Sequence, residues 1–216
     1  MTSTTATTTA AIDATSTEQR IIDVATEMFY ERGYHGTTMR EIAGGVGIKA
    51  GSLYNHFPSK QDILVRIGQE ATRPLLDGAL ERLAGVEDVE EQLRTLIVWH
   101  VAYHCERRHP CRVIDTQLHA LDRENRAAIV ELRDAYEALL RDILVRGEQE
   151  GRWQVDEMAV IAIGISTMCT EVDAWYREGG RLAPEELGAV YADFIRNGIG
   201  RPAAKKRRAP QKGKNT

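Results

Sequence analysis

The sequence predicts an all-α protein. Between about Thr17 and Gly200, apolar residues recur at intervals of three and four, the spacing that places them on one face of an α-helix. No segment sustains the alternation of apolar and polar residues that is typical of a half-buried strand, and we find no internal repeat. The chain has 216 residues, 43% of them hydrophobic, which suits one ordinary globular unit with short appendages.

The first two helices are predicted from their end signals. The first begins near Thr17, and Gly33 is placed to end it. A short second helix opens at Thr38, whose hydroxyl can form a capping box with Glu41 three residues later. The glycine pair beginning at Gly44 is expected to end this helix.

The next two helices are separated by a proline. A third short helix spans Ile48 to Phe57. Ser59 can then cap a long fourth helix from Lys60 toward Leu83, in which Pro74 is expected to produce a kink.

Five further helices are predicted in the rest of the chain. The fifth covers Val89 to Arg107, the sixth runs from about Arg112 to Leu121 beyond His109-Pro110, and the seventh runs from about Glu124 to Gln149. The eighth is capped by Asp156 and continues to about Glu178. The ninth begins at Pro184, because proline suits the first helical position, and ends at Gly198.

The helices and the composition together divide the chain into four parts. Residues 1–16 are rich in Thr and predict a disordered tail, residues 17–62 predict a domain of three short helices, and residues 63–200 predict a larger helical domain. Residues 201–216 predict a second disordered tail, which holds seven of the 28 Lys and Arg residues and no acidic residue. Such a tail favours a polyanionic partner, although an unbound solvated tail is the alternative.

Several features predict a cytoplasmic protein without a membrane segment. Residues 1–16 lack the cationic start and the apolar core of a secretory signal. The apolar stretch from Met158 to Ile165 is far shorter than the roughly 20 residues of a membrane span. Cys105, Cys111 and Cys169 form no CxxC pair, which fits a reducing compartment.

The stretch from Thr38 to Tyr54 predicts a helix-turn-helix. The small side chain of Ala43 lets a second helix approach closely, and Gly47 four residues later can adopt a positive φ in the turn. Apolar residues that would hold the helix pair together are Ile42, Val46, Ile48 and Leu53. In this motif the second helix presents its N-terminal half to base edges in the major groove of DNA.

The segment from Arg20 to Leu64 resembles the N-terminal domain of the TetR family of bacterial transcriptional repressors. The matching features are Ala25 with Phe29, Gly33-Tyr34, Gly36-Thr37-Thr38, Ile42-Ala43, Val46-Gly47, Gly51-Ser52-Leu53-Tyr54, His56-Phe57 and Ser59-Lys60. The resemblance implies a one-component regulator, most often a repressor, that binds a near-palindromic double-stranded DNA operator. It also implies a homodimer that forms through helices 157–178 and 184–198, and an inducer pocket in the C-terminal domain.

The resemblance assigns DNA contacts to individual positions. The residues placed in the major groove are Lys49, Ala50, Gly51 and Ser52, the residues placed on phosphates are Thr38, Arg40, Tyr54, His56 and Lys60, and Asn55 is placed on a base or a phosphate. Hydroxyl, imidazole and cationic groups can donate hydrogen bonds to phosphate oxygens, which agrees with these roles. Since this reading face offers few strong bidentate base contacts, DNA shape is expected to contribute to specificity.

The inducer site is predicted less sharply than the DNA contacts. The candidate pocket residues are Trp99, Tyr103, Arg107, Gln117, Tyr136, Met168, Glu171 and Trp175, with His104 and His119 as further candidates. For each of them, core packing or solvation is the alternative.

The segment from Glu171 to Gly198 resembles a branch of the family that includes steroid-catabolism and fatty-acid repressors, which implies a CoA thioester as inducer. Four arginines near predicted helix ends could meet its phosphates: Arg107, Arg108, Arg112 and Arg177. The rival interpretations are a repressor of efflux genes that responds to a neutral hydrophobic compound and, more remotely, a nonspecific architectural DNA-binding protein.

No enzyme, cofactor or metal site is predicted. The chain has no HExxH motif, no nucleophile elbow and no Walker loop. Four potential metal ligands occur in eight residues, namely His104, Cys105, His109 and Cys111. Because His104 and Cys105 point about 100° apart on a helix and Pro110 separates the other two, one ion is not expected to collect all four.

Overall fold

The computed structural model describes residues 4–199, with side chains from residue 17 onward. In this range the chain forms nine α-helices, two short 3-10 helices and no strand. The α-helices are α1 Thr4–Arg32, α2 Met39–Val46, α3 Ala50–His56, α4 Lys60–Leu83, α5 Val89–Glu106, α6 Arg108–Gln117, α7 Arg123–Gln149, α8 Met158–Thr170 and α9 Pro184–Gly198. The 3-10 helices Leu118–Ala120 and Glu171–Ala174 follow α6 and α8. The predicted all-α class is confirmed, while the basic tail of residues 201–216 lies outside the described residues.

Helices α1, α2 and α3 pack around a small apolar core. Phe29 of α1, Ile42 of α2 and Leu53 of α3 are at most 1% exposed. The turn between α2 and α3 contains Gly47 at φ +79°, a left-handed conformation that glycine adopts at little cost. The guanidinium of Arg20 donates a hydrogen bond of 2.6 Å to the last carbonyl of α2. This arrangement confirms the predicted helix-turn-helix.

Helix α4 joins the three-helix unit to the larger domain. Ser59 and Asp62 form a capping box at its start, in which the serine hydroxyl donates to Asp62 Oδ2 at 2.7 Å. Pro74 lies inside the continuous helix and removes the backbone hydrogen bond to the carbonyl of Glu70. The hydroxyl of Tyr103 lies 3.4 Å from this carbonyl, but its shorter hydrogen bond, of 2.9 Å, goes to the carbonyl of Ala71.

Three predicted helices differ from the observed ones by four residues or more at one end at least. Helix α1 begins at Thr4 rather than near Thr17 and so overlaps the predicted tail of residues 1–16, because no glycine or proline interrupts this stretch. Helix α6 begins at Arg108 rather than Arg112, since Pro110 occupies its first turn, where a missing N–H leaves no hydrogen bond unmade. Helix α8 ends at Thr170, and the backbone tightens into a 3-10 turn that directs Asp173 into the interior.

The end of α7 depends on a close approach between a glycine and an indole ring. Trp153 is buried, and its Nε1 donates to the carbonyl of Leu144 at 2.8 Å, so the ring packs against α7. A Cβ added at Gly147 would be 1.8 Å from Trp153 Cζ2. We expect Gly147→Ala to destabilise the protein by about 1–3 kcal/mol in urea unfolding, because the ring must move.

A matched substitution tests this explanation. Gly44 also lies inside a helix, but a Cβ there meets nothing within 4 Å. Gly44→Ala is therefore expected to stabilise the protein slightly, by up to about 1 kcal/mol, through the higher helix propensity of alanine. Equal effects of the two substitutions would contradict the steric explanation.

Candidate DNA interface and ligand cavity

The recognition helix α3 has one buried face and one exposed face. Leu53 is fully buried, and Phe57 just after the helix is 7% exposed, so both residues attach the helix to α1 and α2. The predicted reading residues lie on the other side: Lys49, Gly51, Ser52, Tyr54 and Asn55 are exposed and Ala50 is half-buried. Helix α3 therefore presents the predicted face to solvent.

The side chains predicted to contact DNA phosphates differ in how freely they can reach a phosphate. Arg40 is exposed at the start of α2, and Tyr54 is 50% exposed. The hydroxyl of Thr38, however, donates to Glu41 Oε2 at 2.7 Å, and this hydrogen bond is the main cause that lowers the pKa of the Glu41 carboxyl. A phosphate would have to compete with that carboxylate for the hydroxyl hydrogen of Thr38.

Lys60 is engaged with the turn between α1 and α2. Its Nζ donates to the carbonyls of Tyr34 and Thr37, each at 2.6 Å, and lies 4.2 Å from the centre of the Tyr34 ring. In this position the ammonium stabilises the turn that leads into α2. His56 is similarly turned toward the protein, with Nδ1 3.7 Å from a carboxylate oxygen of Glu18.

Side-chain hydrogen bonds join the three-helix unit to the larger domain at three points. Gln117 of α6 accepts a hydrogen bond of 3.2 Å from the backbone N–H of Tyr34. Gln61 of α4 donates to the carbonyl of Ala120 at 2.7 Å. His109 of α6 lies 2.6 Å from a carboxylate oxygen of Glu27 on α1. Helix α6 thus contacts the first domain directly.

The larger domain contains a cavity of 330 Å³ between α4, α5, α6, α7 and α8. The lining residues are Ala71, Thr72, Leu75, His100, His104, Cys111, Ile114, Asp115, Arg133, Tyr136, Glu137, Ile163, Ser166, Thr167 and Thr170. One wall is formed by α6, the same helix that contacts the first domain. Cavities of this size are typical of small-molecule sites.

A second concavity opens between α1 and the turn that joins α5 to α6. It measures 740 Å³ and is lined by residues of both domains, including Thr26 and Glu27 of α1. Arg107 and Arg108 provide cationic groups along this cleft. Arg108 is oriented by a hydrogen bond of 2.6 Å from its Nε to the carbonyl of Asp173.

Most of the predicted pocket residues lie elsewhere. Tyr136 lines the inner cavity and Arg107 lines the cleft. Trp99 donates to the carbonyl of Leu75 at 2.8 Å and stacks under Arg82 at 3.6 Å, outside the cavity. Tyr103 is buried, and its hydroxyl donates to the carbonyl of Ala71 at 2.9 Å. These two aromatic residues fix α5 against α4.

The remaining predicted pocket residues lie outside the inner cavity for identifiable reasons. Gln117 lies at the boundary between the two domains, and Met168 is half-buried in the core. Because α8 stops at Thr170, Glu171 and Trp175 do not continue its inner face. Glu171 is exposed and lies 3.2 Å from Arg112, and Trp175 is 54% exposed.

The residues that the sequence did not reveal form the polar part of the cavity wall. They include His100, Asp115, Arg133 and Thr170, which come from four different helices. His100 lies 3.1 Å from the hydroxyl of Thr170, and burial together with His104 holds its pKa well below the usual range. The sequence contains one indication of this polar wall, because His100 and His104 are four residues apart and therefore lie on the same face of a helix.

Known family models match both domains of the chain. Residues 21–67 match the model described as bacterial regulatory proteins, tetR family, and residues 86–199 match the model described as tetracyclin repressor-like, C-terminal domain. The chain belongs to the TetR family. The family that the sequence motifs indicate is confirmed, and the chain is a DNA-binding transcriptional regulator.

Two curated relatives of this TetR-family chain are regulators by name. The HTH-type transcriptional repressor KstR2 of Mycobacterium tuberculosis is 30% identical over 187 residues, which cover 83% of this chain and 90% of KstR2. The fatty acid metabolism regulator protein of Bacillus subtilis is 29% identical over 132 residues, which cover 61% of this chain and 68% of that protein. By their names both relatives are regulators.

Solved TetR-family structures share the fold. The ketosteroid transcriptional regulator KstR2 of M. tuberculosis superposes with a TM-score of 0.74 at 26% identity, and the match covers 85% of this chain and 95% of KstR2. AibR, solved in complex with isovaleryl coenzyme A and operator DNA, superposes with a TM-score of 0.71 at 24% identity, covering 86% of this chain and 98% of AibR.

Helices α8 and α9 carry exposed apolar side chains. Val160 and Ile163 of α8 are 64% and 54% exposed, and Val190 and Phe194 of α9 are 52% and 67% exposed. We call these four residues the apolar face. Large exposed apolar side chains are typical of a subunit interface, and we expect the homodimer of the TetR fold to cover them. None of the described helices combines the length and the apolar character that crossing a bilayer requires.

Proposed function

We propose that this TetR-family regulator is a cytoplasmic repressor that a CoA thioester releases from a palindromic operator. The observation that carries the proposal is the position of α6, which forms a wall of the inner cavity and also contacts α1 and the turn before α2. A ligand that changes the position of α6 would change the position of the helix-turn-helix. It would weaken DNA binding if its affinity for the two conformers differs.

The ligand class is supported by the relatives and by the chemistry of the two concavities. KstR2 and the fatty acid regulator carry names that connect them with steroid and fatty acid metabolism, and AibR was solved with an acyl-CoA. In this chain the inner cavity can take an acyl group. Arg107 and Arg108 in the cleft can form charge-assisted hydrogen bonds to phosphates.

The DNA contacts that we propose follow from exposure. Arg40, Tyr54 and Asn55 would contact the backbone or a base edge, while Lys49, Ala50, Gly51 and Ser52 would face the major groove. Thr38, His56 and Lys60 would act mainly by stabilising the helix-turn-helix, because their side chains already contact Glu41, Glu18 and the turn after α1.

A direct test measures DNA release and ligand binding together. A duplex selected by the protein from random sequences serves as the operator, and its release is followed by fluorescence anisotropy. We expect acyl-CoA thioesters to release the duplex and to raise the Tm of the free protein, whereas the corresponding free acids have a much weaker effect. Release by uncharged hydrophobic compounds alone would instead support the efflux-type interpretation.

A pair of arginine variants tests the phosphate contact. Arg107→Ala is expected to weaken thioester binding roughly tenfold, which corresponds to about 1.4 kcal/mol for one charge-assisted hydrogen bond. Arg123→Ala removes an exposed charge at the start of α7, outside both concavities, and is expected to leave binding unchanged. Equal losses in the two variants would contradict a specific contact at Arg107.

A further inference from the structure

Three potential metal ligands meet beside the inner cavity. His104 comes from α5, Asp115 from α6 and Asp173 from the 3-10 helix Glu171–Ala174. Their ligand atoms all lie within 4.8 Å of one another. The group is distinct from the set that the sequence suggested, because it shares only His104 with that set.

These atoms are buried and lack ordinary partners. His104 is 4% exposed and Asp173 is 1% exposed. Among residues 17–199, no hydrogen-bond partner reaches His104 Nδ1, Asp115 Oδ2 or either carboxylate oxygen of Asp173. A buried polar atom left without a partner is costly, and a buried charge is more so. These atoms are therefore free to coordinate a bound ion.

The surrounding charges orient the two carboxylates. Arg133 donates to Oδ1 of Asp115 at 2.5 Å and leaves Oδ2 available. Arg112 lies 3.5 Å from Oδ1 of Asp173 and leaves Oδ2 directed at His104. Metal-binding carboxylates are commonly held by a second contact of this kind, which fixes their orientation.

The spacing fits ligands that share an ion better than a direct contact. Asp173 Oδ2 and His104 Nδ1 are 3.8 Å apart, which is too long for a hydrogen bond. Zinc bonds to histidine nitrogen and carboxylate oxygen measure about 2.0–2.2 Å, so two ligands of one ion lie about 3–3.5 Å apart. A small adjustment of either side chain would bring both atoms into range.

The groups around the site hold its ligands in place. Arg112 is shared between Asp173 and Glu171, and Arg133 pairs with Asp115. Arg108 donates a hydrogen bond of 2.6 Å to the backbone carbonyl of Asp173. The ring of His100 stacks on the ring of His104, with the ring centres 4.8 Å apart.

We propose that His104, Asp115 and Asp173 bind a first-row divalent metal ion, with Zn²⁺ as the best match. A set of one imidazole and two carboxylates suits such ions, and two of the three residues, His104 and Asp115, also line the inner cavity. The ion would connect α5, α6 and the 3-10 helix. This inference is independent of the identity of the inducer.

The test uses the full-length protein after removal of metal with a chelator. Titration with Co²⁺, followed by absorption spectroscopy, is expected to give one ion per chain with a spectrum that lacks thiolate charge-transfer bands, since no cysteine is a proposed ligand. Saturating Zn²⁺ is expected to raise the Tm by about 5–10 °C when its concentration is 100 times Kd. Absence of saturable binding, or a thiolate spectrum, would overturn the proposal.

Two variants with matched controls locate the site. Asp173→Asn and His104→Gln are each expected to weaken Co²⁺ binding at least about 100-fold. This loss exceeds the one expected when a residue that only hydrogen-bonds to a metal ligand is removed. Asp134→Asn on α7 and His119→Gln on the 3-10 helix Leu118–Ala120 change exposed residues and should bind Co²⁺ like the wild type. Unchanged binding by both test variants, or equal losses in the controls, would refute the assignment. If one test variant fails to fold by circular dichroism, the other decides the assignment.

Discussion

A Phe194→Glu variant is expected to be monomeric and to lose operator binding. Phe194 is 67% exposed in the single chain and lies in the apolar face with Val190 of the same helix. Burial of one phenylalanine side chain contributes about 1.5–3 kcal/mol to the free energy of dimerisation. In a two-fold symmetric dimer the substitution is present in both subunits, so this contribution is lost twice. Dimer affinity should therefore fall by about 10²–10⁴-fold before the cost of burying two carboxylates is added.

The mass in solution and the affinity for DNA should change together. In light scattering the wild type should measure twice the chain mass of 24.1 kDa, and the variant should measure the chain mass. Leu80→Glu is the control, because Leu80 is 48% exposed on α4 outside the apolar face. A Phe194→Glu protein that stays dimeric at micromolar concentration would rule out this surface as the interface.

Tyr54→Ala is expected to abolish most of the specific DNA affinity while the fold stays intact. The side chain is 50% exposed on α3, so its removal takes little from the core. A hydrogen bond to a charged phosphate contributes about 1.5–3 kcal/mol, and a dimer makes the contact in both half-sites. Anisotropy titrations should show a loss of about 100-fold or more, and the Tm should change little.

Tyr54→Phe separates the hydroxyl from the ring. If the hydroxyl contacts a phosphate, the phenylalanine variant should lose most of the affinity that the alanine variant loses. If the ring packs against a sugar, the phenylalanine variant should bind almost as tightly as the wild type. Wild-type affinity in the alanine variant would show that Tyr54 does not contact the operator.

The local features of the DNA-binding half could be predicted because their causes are close in sequence. The capping box of Thr38 and Glu41 depends on a spacing of three residues, and the positive φ of Gly47 depends on one residue type in one turn. The alternation of buried Leu53 and exposed Tyr54 follows from helix periodicity. Each of these predictions needed no knowledge of tertiary contacts.

The cavity could not be predicted in the same way, because its wall is assembled from distant residues. Asp115 and Asp173 resemble solvated surface acids in the sequence, and only the packing of α6 and the 3-10 turn after α8 buries them. Trp99 and Tyr103 were predicted to bind a ligand. Instead, the indole N–H of Trp99 and the hydroxyl of Tyr103 donate hydrogen bonds to backbone carbonyls of α4.

The open space around Gly51 has a consequence for how the regulator can evolve. A Cβ at this position meets nothing within 4 Å, and Gly51 lies on the exposed side of α3. Mutations there can change the side chain offered to the operator without disturbing the core that holds the helix. After gene duplication, two copies could therefore diverge toward different promoters while their folding stability stays nearly constant.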